Sequence, residues 1–146
     1  MIWATRSGIR VGRAAAAWLI RRFIDPDAEF RFVAEAEVLR LEREGAIGFQ
    51  VHGAKYPHVD AHGRVPFQAL VHDYCAADNV LQRMAKIVRE ADLKPKQGSG
   101  EEPIAPGLRA ISMSLPEVCG SDHEVVAQSA LLYDALYYTL SRPGAS

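Results

Sequence analysis

The stretch "HVDAH", His58 to His62, sets two imidazoles and the Asp60 carboxylate within five residues. Neutral imidazole nitrogen and carboxylate oxygen are the donors that borderline divalent metals take. Asp92 stands at the end of an apparent helix, and His123 opens another between Asp122 and Glu124. A mixed nitrogen and oxygen site assembled from such groups would therefore draw on separate elements. The spacing is weaker than an H-E-x-x-H motif, because loop histidines are common and His123 equally suits a helix start.

Arginines form a second constellation. On a helical wheel of about 100° per residue, Val11, Ala15, Trp18, Leu19, Phe23 and Ile20 spread over roughly half of the first helix. Arg10, Arg13 and Arg21 gather on the remaining arc, near Ala17. Guanidinium forks suit oxyanions through paired hydrogen bonds. The alternative is that the stripe pairs with the acidic helix from Glu35 to Glu44 or faces water. Arg22 falls at the Trp18 border, where its stem can pack on apolar surface.

Nucleophilic and redox chemistry find less support. The chain contains no G-x-S-x-G elbow, P-loop or G-x-G-x-x-G fingerprint. Cys75 and Cys119 form no C-x-x-C pair, which suggests neither a disulfide framework nor a thiolate zinc site. Ser112 and Ser114 read as ordinary serines, and Tyr133, Tyr137 and Tyr138 as a helix flank packed inward.

Helical periodicity must position these groups. The first helix is expected from Ile9 to Ile24, stopped by Asp25-Pro26 because the residue before proline is pushed out of the helical region. "EFRFV", Glu29 to Val33, alternates like a short strand, and "AEAEVLRLEREG" reads as a helix closed by Gly45. "AIGFQVHG" reads as a second strand and Ala54 to Val65 as loop. A short helix follows Pro66, and Asp78 caps a firmer one. Ser121 and Glu124 form an S-x-x-E capping box for the last helix, which carries Val125, Ser129, Leu132, Leu136 and Leu140. The Gly-, Pro- and Ser-rich run at 94–107 is expected to be a flexible loop. The fold class is mainly α (α+β), a single helical domain over 1–146 with a small two-stranded β element. Trp18, Leu19, Phe23, Leu132, Leu136 and Leu140 are expected to share one core.

With 146 residues and a formal charge of −1, the chain does not read as a protein whose whole surface grips nucleic acid. Residues 1–24 nevertheless hold five arginines and no acid, whereas 25–44 hold seven carboxylates. No apolar run approaches the roughly 20 residues that span a bilayer, and "RRFIDPD" reads as continuing helix rather than a signal cleavage site. A cytoplasmic location is expected, with no membrane or direct nucleic-acid partner and no helix-turn-helix.

"WATR", "VGRAAAAWLIRRFIDPDAEFRFV", "IVREADL" and "DHE" followed by "YDALY" together resemble the C-terminal domain of bacterial chromate-resistance ChrB proteins. The likeness runs from Trp3 to about Tyr138, and "AWLIRRFIDPDAEF" is its most specific part. The resemblance implies a link to chromate resistance and, in longer members, to chromate-responsive regulation. It also shows departures. An acid and a cysteine stand in the family pattern where this chain has Gly12 and Ala16. A C-[TS]-F-[ED] element gives way to Val65-Pro66-Phe67-Gln68 after two extra residues. The resemblance implies a divalent metal ion at His58, Asp92 and His123, weakened because Gln68 offers an uncharged amide in place of a carboxylate. The expected function is a binding or sensing domain for an oxyanion or metal ion, with Arg10, Arg13, Arg21 and Gln68 as ligand-binding residues. A metal-dependent enzyme, and a helical interaction module with a vestigial site, remain alternatives; a partner protein or a homodimer is compatible with each.

Overall fold

The computed structural model describes residues 1–93 and 100–144. Strand β1 (Ile2–Arg6) leads through α1 (Val11–Leu19) and a π-turn (Ile20–Ile24) to β2 (Glu29–Val33). Then follow α2 (Glu35–Arg43), β3 (Ile47–Gly48), α3 (Pro66–Tyr74), α4 (Asn79–Asp92), α5 (Ala105–Val118) and α6 (Asp122–Ser141). The molecule is mainly helical, in the α+β class.

The sheet has three parallel strands in the order β2-β1-β3, one more than expected. β1 pairs with β2 from Ile2↔Glu29 to Arg6↔Val33, and with β3 at Trp3↔Ile47 and Ala4↔Gly48. It escapes a period-two reading because Trp3, Ala4 and Thr5 are all buried, as in a strand covered on both faces. The second expected strand, 46–53, shrinks to β3, extended only by a Phe49–Tyr56 bridge.

Every residue of α1 is buried, which explains its alanines: helices can approach it from several sides. Trp18 stacks on Phe67 of α3 with ring centroids 6.5 Å apart, and Tyr133 of α6 lies 5.9 Å from it. Leu132, Leu136, Leu140 and Phe23 are partly buried against the same cluster as Trp18 and Leu19. Tyr133 is fully buried, Tyr137 half-buried and Tyr138 exposed, so only part of the tyrosine flank turns inward. Ser121 accepts from the Glu124 amide at 3.1 Å, while Glu124 reaches back to the Gly120 amide rather than that of Ser121. Of the loop expected at 94–107, residues 94–99 lie outside the described residues and Ala105 to Gly107 begin α5. No helix among the described residues is long and apolar enough to cross a membrane.

Candidate functional site

The site begins where β1 hands over to α1. The Asp122 carboxylate, in the first turn of α6, accepts the Gly8 amide at 3.1 Å and the Ile9 amide at 2.8 Å. That grip fixes the turn from which Arg10 and Arg13 emerge. Arg13 is only 6% exposed, and its Nη2 donates to the Gly8 carbonyl at 2.5 Å. Burial pulls its guanidinium below the ordinary value, Arg6 adds to this, and Asp92 and Asp122 oppose it. Among the described residues this largely desolvated cation thus donates to one carbonyl and has two carboxylates at longer range.

Asp92, the last residue of α4, joins that turn from the other side. Its Oδ1 accepts the Gly12 amide at 3.2 Å, and its Oδ2 accepts Gln50 Nε2 at 3.0 Å. The same Nε2 lies 3.2 Å from His58 Nδ1. An ionised carboxylate only accepts, so it fixes which end of the Gln50 amide faces it. The amide in turn makes His58 Nδ1 an acceptor, which leaves the neutral ring's proton on Nε2. Gln50 holds this position with φ +56°, the one positive φ at a non-glycine among the described residues.

These groups line a cavity of about 550 Å³. Four guanidinium groups border it, from Arg6, Arg10, Arg13 and Arg109, against the carboxylates of Glu35 and Asp92. Arg109 Nη1 donates to the Ala91 carbonyl at 2.8 Å and so closes the end of α4, whose dipole favours a cation there. Arg10 Nη1 reaches the Met113 carbonyl at 3.2 Å, and Arg6 sits 3.6 Å from Glu35 at the exposed mouth.

The structure brings together Arg10, Arg13, His58 and Asp92 of the residues singled out in the sequence, and places the others elsewhere. Arg21 lies two turns beyond Arg13, about 12 Å along the axis, where it donates to the Ala28 carbonyl and covers the Phe30 ring. Gln68 accepts from the Val65 amide and from Arg89, which makes it a cap of α3. His123 packs edge-on against Phe32 with centroids 4.7 Å apart, and it does not line the cavity. Asp60 is occupied by the His62 and Arg64 amides and the Arg64 side chain. Among the described residues no group of three or more His, Cys, Asp and Glu side chains could hold a metal ion. His58 Nδ1 and Asp92 Oδ2 are 3.9 Å apart with an amide N–H between them, and four arginines surround them. This donor set does not fit a divalent cation.

Known proteins bear on the arrangement at this point. The family model described as "ChrB, C-terminal domain" matches residues 3–140. The chain belongs to the ChrB family. It is 33% identical over 144 residues to Protein ChrB of Cupriavidus metallidurans, across 97% of this chain. It spans 41% of the length of that ChrB relative. No solved structure matches it.

Sequence reasoning missed Arg6, Gln50 and Arg109. Arg6 and Arg109 lie 103 residues apart on different elements and share no periodicity. Gln50 carries no turn signal, since a positive φ is ordinarily announced by Gly or Asn.

Proposed function

We propose that this chain is a binding or sensing domain of the chromate-resistance type, which takes an oxyanion into the arginine-lined cavity. The observation that carries the reading is Arg13, a residue 6% exposed that lines a cavity bordered, among the described residues, by four guanidinium groups and two carboxylates. A tetrahedral anion there would complete the hydrogen bonding of Arg13 and relieve its repulsion from Arg6 and Arg10. His58, whose Nδ1 faces the Gln50 amide, adds its Nε2–H as a donor. Cys75 and Cys119 do not line this cavity, and burial pushes the Cys75 thiol up, away from the reactive thiolate. That favours recognition over thiol-driven reduction.

Thermal unfolding at constant ionic strength tests the proposal. Chromate, sulfate or phosphate should raise the melting temperature above that in chloride. Arg13→Lys keeps the charge but loses the fork, and should reduce that rise. An equal rise in both proteins would assign it to general salt effects and sink the reading.

A further inference from the structure

The cavity is much larger than a bare oxyanion needs. A four-oxygen anion occupies the space of a few waters, each about 30 Å³ in the liquid, whereas the cavity measures about 550 Å³. Pockets of roughly 300 to 1,000 Å³ are those that hold small organic molecules. Its lining is also two-sided. Arg10 and Arg13 provide cationic donors at the α1 end. Among the described residues Asp92 uses each carboxylate oxygen in one hydrogen bond, to Gly12 and Gln50, and each oxygen has a further lone pair. Glu35 adds a half-exposed carboxylate at the mouth. Such acceptors do nothing for an anion except repel it; they suit the hydroxyl groups of a body attached to one. No Phe, Tyr or Trp ring is among the described lining residues, so a nucleobase would have only the smaller His52 and His58 rings and guanidinium planes to stack on.

From these observations we infer that the cavity takes a phosphorylated polyol, a sugar phosphate in chemical class, with its phosphate on Arg10 and Arg13 and its hydroxyls on Asp92 and Glu35. The inference rests on the oxyanion reading and narrows it. The phosphate lies against the buried guanidinium, where exclusion of water strengthens the pairing. The hydroxyls donate to the carboxylates, which convert an unfavourable neighbour of a bare anion into a partner of the whole ligand. Selectivity between ligands then resides in the acids and affinity for the anion in the arginines.

Titration calorimetry with inorganic phosphate, chromate, glucose 6-phosphate and adenosine monophosphate tests it. Glucose 6-phosphate should bind at least tenfold more tightly than inorganic phosphate. Asp92→Asn should reduce that advantage to within about threefold while inorganic phosphate binds as well or better, because a negative charge has left the cavity. Glu35→Gln, at an exposed position, gives the same test in the same direction if Asp92→Asn fails to fold. Equal affinity for glucose 6-phosphate, phosphate and chromate would overturn this inference and leave the oxyanion reading standing. Tighter binding of the nucleotide would overturn it too, and binding of none of the four would remove both.

Discussion

The missing side chain of Gly12 lets the Asp92 carboxylate reach the α1 backbone. A Cβ there would lie 2.7 Å from the carboxyl carbon and both oxygens of Asp92. Gly12→Ala gains about 1 kcal/mol of helix propensity but displaces a charged hydrogen bond worth about 1.5–3 kcal/mol. A net loss of about 1 kcal/mol is expected. With Asp92→Ala already in place the obstacle is gone, and the same substitution should stabilise by up to about 1 kcal/mol. Urea melts of the four proteins check the change of sign; Gly12→Ala stabilising the native protein would mean that Asp92 swings aside freely. Nitrogen NMR of His58 gives a second check at this scale. The neutral ring should carry its proton on Nε2, and a predominant Nδ1–H form would break the chain of donors from Gln50.

At the scale of elements, the cavity depends on the grip of α6 on the turn before α1. Asp122→Ala leaves the Gly8 and Ile9 amides without their acceptor and should destabilise by about 1–3 kcal/mol, with faster hydrogen exchange at those two amides. It should also lower the thermal response to oxyanions, since Arg13 hangs from that turn; unchanged exchange would show that other contacts hold it. Most helices of this framework were legible because they have local signals: Asp78 and Ser121 as caps, Pro26 as a stop, and apolar spacing between; α5 was not, since it has no side-chain cap and holds Pro116 in its interior. β1 was not, because its buried Trp3, Ala4 and Thr5 show no alternation and its partners lie more than 20 residues away. The same limit governed the site. Arg10 and Arg13 share a turn and could be read together, as could the carboxylate and imidazole of Asp92 and His58 through the family pattern. The wheel gives an arc but no axial separation, so Arg21 joined a stripe that the structure divides between the cavity and Phe30. Arg109 and Gln50 arrive only through tertiary packing.

Across the whole molecule, acid stability and the aromatic core offer independent checks. Hydrogen bonds hold several carboxyls below their ordinary values: Asp25 through Trp3, Asp73 through His72 and Tyr56, and Glu37 through Arg40. Groups depressed in the folded state contribute stability above the unfolded carboxylate range of about 4. That contribution disappears as pH falls through their folded values, when the native state must take up protons it resisted. The urea midpoint should therefore fall below about pH 4, and Asp73→Asn should flatten that fall; an unaltered pH profile would show that Asp73 is not held as described. Trp18 tests how the layers are joined. It is 4% exposed, contacts Phe23, Phe67, Tyr133 and Tyr137, and donates Nε1–H to Asp134 at 2.9 Å. It thus ties α1 to α3 and α6 at once. Asp134 is half exposed and lies 3.5 Å from Arg22, so its carboxylate stays solvated when the indole is removed, and the loss comes mainly from the core. Trp18→Ala should destabilise by about 3–5 kcal/mol, whereas Trp18→Phe keeps most of the ring contacts and should lose much less. A loss below about 1 kcal/mol for the alanine variant in a chemical melt, well short of a buried aromatic's value, would mean that the three helices hold together without their shared ring.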